Sequence, residues 1–542
     1  MTVGFLHGQS AYEPESWVPL DHVGHGFKRF SRDRDRLGSA GICGACCPIC
    51  CPSANQKESK TDRAGPARLD FREAPLDGRD LYETTTVIRK QTQARGFIVS
   101  GTHSGAGKTT VTATLIHGLR EAGHVVQPFK LGPDFIDTAY LSEAAGRGAI
   151  NLDLWMMGAE EVLRSYRRWS EYADIAVIEA MGALHDGTDG TGHGSAVDLA
   201  RLLGLPVLIV LDVAGMTRTA AAVLAGLIAF DPTVEVAGVV LNRVGSSKHA
   251  EMVMQGLPPE HRRLVWGAIP RDADLEIPER HLGLLTVEEN DATRSAREAA
   301  RRRAGGYLDI QKAARLVRSG ASEPRAPKPS QAVPVAKLAI ARDRAFCFYY
   351  EENLRLLSDA GFELVPFRPT IDRRLPPNVD AVYIGGGYPE SSAAELAANR
   401  SLAAELRART AAGMPLYAEC GGLLYLARSL TDFDGSLHEM AGLLPLDIVM
   451  DRDYLAISYV NARTTTSSPL GPAGTEARGQ EFHQSRITNA EVDASLYELT
   501  ASDGQTRRDG FIQGSVVASY VHLHFASAPS VPSAFADAAK AV

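Results

Sequence analysis

Two α/β modules in tandem, each a mostly parallel, doubly wound sheet covered by helices, are what this sequence predicts. Three observations carry the prediction. From Arg95 onward short β-rich runs alternate with helical periods. A glycine-rich loop ending Gly-Lys-Thr stands between the first strand and the first helix. A proline-rich stretch then divides the alternating region in two.

In the first module, GFIVSG (96–101) reads as a buried strand, and in the helix TTVTATLIHGLREAG the residues Val111, Leu115 and Leu119 recur every four positions on one apolar face. Strands follow at DIAVIEA (174–180), PVLIVLDV (206–213) and EVAGVVLNRV (235–244), separated by the helical segments SAVDLARLLG and TRTAAAVLAGLIAF. A charged helical stretch over 291–317 leads into SGASEPRAPKPSQAVP, whose four prolines between 324 and 334 suit an extended linker. The second module opens with KLAIAR (337–342), then an amphipathic helix (YYEENLRLLSDAG), ELVPF, the strand AVYIGGG (381–387) and the pair PLYAEC and GGLLYLARSL. The expected division is therefore an extension over 1–94, a module over 95–320, a linker over 321–335, a module over 336–530 and a tail over 531–542.

Residues 1–94 show no sustained period and read as a disordered extension or as sequence upstream of the true start. Five of seven cysteines crowd into Cys43, Cys46, Cys47, Cys50 and Cys51. That is no disulfide framework, so a reducing cytoplasm is expected. The formal charge of −8 lacks the excess of a general nucleic-acid binder, and no apolar run reaches the ~18 residues of a membrane span. Small-molecule chemistry without nucleic acid or membrane is the expectation, with a homodimer left open.

The strongest chemical signal is Gly101-Thr-His-Ser-Gly105-Ala-Gly107-Lys108-Thr109-Thr110 between strand and helix. Such glycines let backbone N–H groups cradle phosphate, the lysine reaches the β/γ-phosphates and the hydroxyl of Thr109 can hold Mg²⁺. Thr102 stands where the strict pattern has glycine. Glu179 closes a strand where a carboxylate can serve Mg²⁺, and Asp186 follows seven residues later. Lys130-Leu-Gly-Pro-Asp134-Phe-Ile-Asp137 packs a cation and two acids around a turn at a strand end, where open α/β sheets bind ligands.

In the second module, Cys420 lies at a strand-to-helix junction between Glu419 and Gly421-Gly422, a setting for an activated nucleophile. The segment Val521-His522-Leu523-His524 offers two candidate bases, and the turn Gly385-Gly386-Gly387 offers backbone donors for an oxyanion.

With these residues in hand, the chain from about 95 to 530 resembles the cobyrinic acid/hydrogenobyrinic acid a,c-diamide synthases. GTHSGAGKTT, FKLGPDFID, NLDLWMMG, IEAMGALHDG, PERHLGL, AFCFYYEENL, GGGYPE, AECGGLLYL, GQEFHQS and SYVHLHF match that family's segments in order. The resemblance implies a phosphate-loop domain related to dethiobiotin synthetase joined to a triad-type (class I-like) glutamine amidotransferase domain. It carries the nucleophile onto Cys420 and its base onto His522. It carries Mg-ATP handling onto Lys108, Thr109 and Glu179, substrate work onto Asp134, Asp137 and Asp186, and an adenine-recognition role onto Asn242. Gly105, Gly107 and Thr110 complete the expected nucleotide loop, Gly386 and Gly387 the expected oxyanion donors. Phe135 stands where a tyrosine is usual, Thr138 where a proline is, and Ala180 where glycine is frequent. His524 replaces the glutamate that many triad enzymes carry two residues beyond the histidine, which leaves the third triad member unassigned.

The expected activity is amidation of a corrin-ring acid with ATP and glutamine as co-substrates and Mg²⁺ as cofactor. Cobyric acid synthase is a competitor that FKLGPDFID speaks against, and a nickel tetrapyrrole is an alternative substrate. A partitioning-type switch ATPase would have no use for Cys420 and His522. A purely regulatory glutamine sensor would have none for the Lys108-Thr109 loop.

Overall fold

The computed structural model describes residues 96–188, 190–277, 287, 293–316 and 334–541. The extension 1–94 with its cysteine run, PERHLGL and nearly all of the linker fall outside them.

Residues 96–270 build a seven-stranded sheet from β1 (Gly96–Gly101), β2 (Val126–Leu131), β3 (Ile150–Leu152), β4 (Ile175–Glu179), β5 (Val207–Asp212), β6 (Val236–Val244) and β7 (Val265–Pro270). Their order is β3-β2-β4-β1-β5-β6-β7, with every pairing parallel. β1, β2, β4 and β5 are buried along their whole length. Helices on both faces exclude alternation, so the strands read as near-continuous apolar runs. The helix Lys108–Glu121 buries Val111, Leu115 and Leu119 against one face, as their spacing requires.

The charged helical stretch expected over 291–317 forms two helices, Arg294–Gly305 and Ile310–Arg315. The Gly305-Gly306 pair ends the first, and Leu308 then bridges to Gly267 at the sheet edge. Glycine loses more backbone freedom in a helix than any other residue, which favours the break there.

The second module is centred on β8 (Ala336–Ala341), β9 (Phe362–Phe367), β10 (Ala381–Ile384), β11 (Leu416–Glu419) and the strand Val516–Ser519, all parallel, with Phe511–Gln513 antiparallel at one edge. GGLLYLARSL is helical only over Gly421–Leu426, and Ser429 already starts a strand. Between Ser429 and Asp509 the chain adds eight strands, which together with His522–Leu523 form two largely antiparallel sheets of four and five strands. No apolar run announces them, because strands such as Glu476–His483 keep polar residues on the half-exposed face. The expected tail is instead the helix Ser530–Lys540, whose Val531, Phe535 and Ala539 are buried in the same core as Phe362 and Tyr417. Removing that apolar surface from water outweighs the fraying expected of a terminus.

The two modules meet through specific polar contacts. Tyr459 donates to Asp153 at 2.6 Å, Trp169 Nε1 to Glu352 at 2.8 Å and Arg478 to the Trp155 carbonyl at 2.8 Å. NLDLWMMG thus serves the interface, where Asp153 also caps the short helix Leu154–Met157. Among the described residues no helix is long and apolar enough to cross a membrane.

Candidate active sites

Five strands of the first sheet end at one cleft of about 1210 Å³. β1 delivers the glycine loop, β2 Lys130, β4 Glu179, β6 Asn242 and β7 Ile269 and Pro270. Gly105, Gly107, Lys108, Thr109, Thr110, Asp134, Asp137, Glu179 and Asn242 all line this cleft. Gly107 adopts φ 89°, and a Cβ there would lie 2.2 Å from Asn242 Nδ2. Only glycine allows that close approach. Asn242 donates to the Ala106 carbonyl at 2.9 Å, so its nitrogen is already engaged in bracing the loop. Asp186 is exposed and is not among the cleft-lining residues, although its charge acts on Lys108.

The floor of the cleft is a buried charge cluster. Lys130 Nζ pairs with Asp137 at 2.5 Å and with Glu179 at 3.1 Å, while Thr109 Oγ1 donates to Asp137 at 3.0 Å and to Glu179 at 2.8 Å. Burial opposes the Lys130 charge, but Asp137 and Glu179 outweigh it and hold the ammonium well above its ordinary range. Burial, followed by the charge of Asp137, pushes the Asp134 carboxyl up; burial also raises Glu179 against the pull of Lys130. Burial, then Lys130, presses Lys108 below its ordinary value. Arg243 and Arg271 also line the cleft, and neither is assigned from the sequence. The local signal at Arg243, a left-handed φ of 57°, is visible only in the folded backbone.

The second site lies at the carboxyl ends of β10, β11 and Val516–Ser519, around a cavity of about 270 Å³. Cys420 follows β11 with φ 46° and ψ −101°. A non-glycine residue held there costs on the order of 1–3 kcal/mol, strain that active sites retain. His522 lies within hydrogen-bonding reach of Cys420. Burial lowers its pKa, yet Cys420 and then Glu419 outweigh burial and raise it to about 10. A Cβ on Gly386 would sit 2.3 Å from the His522 ring, and one on Gly421 would sit 3.0 Å from Gly387 N, so the glycine turn is pressed against the histidine and the nucleophile loop.

Glu419, only 1% exposed, accepts from Tyr417 Oη at 2.5 Å, Tyr383 Oη at 2.8 Å and Leu523 N at 3.0 Å. Its Oε2 lies 3.7 Å from His522 Nδ1, and among the described residues that ring is its only cationic partner. His524 is also fully buried but packs tilted against Tyr350, its centroid 4.9 Å away, with neither ring nitrogen hydrogen-bonded. Burial lowers its pKa to about 4. Asn353 clamps this stretch from both sides, donating to the Leu523 carbonyl at 2.7 Å and accepting from Phe525 N at 2.8 Å. Gln480, His483, Gln484 and Ser485 complete the polar wall of the cavity. Their segment, GQEFHQS, is conspicuous in the sequence, but no one-dimensional signal brings it to Cys420.

Fold and sites together define a nucleotide-binding module coupled to a glutamine amidotransferase module. Residues 97–285 match the CobQ/CobB/MinD/ParA nucleotide binding domain, and residues 337–530 match the CobB/CobQ-like glutamine amidotransferase domain. Three cobyrinate a,c-diamide synthases are similar along most of their length. The one from Dehalococcoides mccartyi (strain CBDB1) is 37% identical over 447 residues, covering 81% of this chain and 96% of the relative. That of Syntrophotalea carbinolica is 38% identical over 449 residues (81% and 97%), and that of Synechocystis sp. 39% over 443 residues (79% and 90%). The chain belongs to the cobyrinate a,c-diamide synthase family.

Proposed function

We propose that the chain converts the a and c acetate carboxylates of a corrin-ring acid, cobyrinate or its cobalt-free counterpart hydrogenobyrinate, into amides with ATP and glutamine. The observation that carries the reading is the strained Cys420 in reach of His522, in the same chain as a phosphate loop that lines a deep cleft. Membership of a family whose relatives bear the diamide synthase name supports the substrate class.

At the second site the Cys420 thiolate attacks the side-chain amide carbon of glutamine. The C–N bond breaks, the nitrogen takes a proton from His522 and leaves as ammonia, and water then hydrolyses the thioester to glutamate. Glu419 is the third member that the sequence leaves unassigned. Its carboxylate faces His522 Nδ1, so it orients the ring and stabilises the imidazolium. The Gly386-Gly387 turn and the Gly421 amide are the candidate oxyanion donors.

At the first site the substrate carboxylate takes the γ-phosphoryl group of ATP, releasing ADP, and ammonia displaces phosphate from the acyl phosphate. A carboxylate oxide is too poor a leaving group for ammonia to displace it directly. Lys108 stabilises charge on the phosphoryl oxygens. Among the described residues no cluster of three metal-ligating His, Cys, Asp or Glu side chains forms. The oxygen set of Thr109 and Glu179 nevertheless suits a hard cation, because buried Glu179 Oε2 has no hydrogen-bond partner. Thr109 and Glu179 are the residues that would hold Mg²⁺, which supplies charge neutralisation at the phosphates. Asp134 and Asp137, which line the same cleft, are the carboxylates assigned to the substrate, and Asn242 holds the loop in place.

The test is Cys420→Ser, whose hydroxyl has a far higher pKa than a thiol. Glutamine-supported amide formation should fall by at least about 10³-fold, while ammonium salts at mildly alkaline pH restore it. Mass spectrometry of the product from each candidate acid reads the substrate. Full glutamine-dependent turnover by the variant would sink the proposal.

A further inference from the structure

The two cavities share one short stretch of chain. Asp134, Ile136 and Asp137 line the nucleotide cleft, whereas Phe135 between them lines the cavity of Cys420 and His522. The Phe135 ring stacks on Phe348 at 5.1 Å between centroids and 9° between planes. It also lies 4.5 Å from Tyr350 and 5.1 Å from the imidazole of His522. One aromatic side chain from the first module therefore touches the histidine base of the second.

Its backbone is held by hydrogen bonds within the loop that carries Asp134 and Asp137 and from Asn151. Asn151 Nδ2 donates to the carbonyls of Gly132 and Asp134 at 2.9 Å each, Ile136 N donates to Asp134 Oδ1 at 2.7 Å, and Thr138 Oγ1 donates to the Phe135 carbonyl at 2.6 Å. Tyr350 Oη reaches the Pro133 carbonyl at 3.4 Å from the opposite side. Asp134 and Asp137 flank Phe135 in this loop, so the two carboxylates and the ring against His522 are carried by the same few residues of backbone.

We propose that Phe135 is the positioning residue that couples the two half-reactions, fixing the face of the His522 ring and closing the glutamine cavity on the side of the nucleotide cleft. This rests on the amide-forming reading above. Chemistry gives the ring a purpose. Glutamine plus water yields glutamate and ammonia, and ammonia that escapes to neutral solvent gains a proton and is no longer a nucleophile. An apolar ring at the boundary keeps water from the leaving nitrogen and ties hydrolysis to the state of the loop carrying Asp134 and Asp137.

The experiment measures glutamate and amide released by the full chain, with glutamine and separately with ammonium salts, for the wild type, Phe135→Ala, Phe135→Leu and Phe135→Tyr. The wild type should release close to one glutamate per amide. Phe135→Ala should raise that ratio at least about threefold while its ammonia-supported rate falls less than its glutamine-supported one. Phe135→Leu should shift the ratio in the same direction by less, and Phe135→Tyr should return it to near one. An unchanged ratio in both the alanine and leucine variants overturns the coupling role, as does an equal loss with both nitrogen sources. A wild type that forms no amide from glutamine would instead overturn the reading beneath it, so the two failures are distinguishable.

Discussion

The floor of the nucleotide cleft and the surroundings of Cys420 both bury ionisable groups at the carboxyl ends of parallel strands, yet they balance charge in opposite ways. In the cleft, Lys130 neutralises Asp137 and Glu179 directly, and Lys108, Arg243 and Arg271 face the opening. Around Cys420, Glu419 has no lysine or arginine partner among the described residues and is satisfied by two tyrosine hydroxyls, one amide and a histidine. A buried charge survives only when it is paired or fully hydrogen-bonded, so both solutions are stable. The difference follows from the ligands. A phosphate site needs surplus positive charge, whereas a thiolate site needs a base that can hold and return one proton.

The largest effect that separates the two regions is expected for Lys108→Ala. Losing the lysine should cost at least about 10³-fold in amide formation with glutamine and with ammonia alike, since both need the activated carboxylate. Near-normal amidation by this variant in a product assay would end the assignment of the cleft.

A smaller effect, confined to one nitrogen source, is expected for Glu419→Gln. The amide keeps the size and a hydrogen-bonding oxygen but removes the charge facing His522, so glutamine-supported kcat should fall by roughly 10²-fold with little change in KM. Ammonia-supported turnover should be nearly unaffected. The basic limb of the pH profile should move to lower pH, because a carboxylate that raises the histidine pKa is gone. An unshifted profile would reduce Glu419 to a structural role.

The smallest effect concerns stability. His524 is held neutral by burial with its pKa lowered to about 4, so between pH 6.5 and 4 the unfolded chain binds a proton that the folded chain does not. Stability from this residue is complete above pH 6.5 and declines as pH falls, by on the order of 3 kcal/mol at pH 4. His524→Phe should flatten that part of the acid limb in denaturant titrations while leaving most glutamine use intact. A glutamine defect confined to this variant, with His522→Ala active, would move the base by two residues.

The parallel framework was legible because its signals are local. The apolar runs of β1, β4, β5 and β6, the Gly107-Lys108-Thr109 junction and the Glu419-Cys420-Gly421 turn each declare themselves within a few residues. The antiparallel strands between Ser429 and Asp509 were not legible, since half-exposed strands mix polar and apolar residues and draw stability from partners far along the chain. The same limit governed the site.

By itself, the sequence determined the two folds, their order along the chain and the phosphate loop, and it named a candidate nucleophile and two candidate histidines. The tertiary structure gives the two rings different surroundings, because neighbours at contact distance, rather than residue type, set where a ring can act. His522 meets Cys420, Glu419 and Phe135, whereas His524 is sealed against Tyr350. It also placed Phe135 against the other module's histidine and committed the Asn242 amide to the loop carbonyl. Sequence pattern reports which face of an element is apolar. Only packing brings together residues 135, 420 and 522, and burial then sets their charge states.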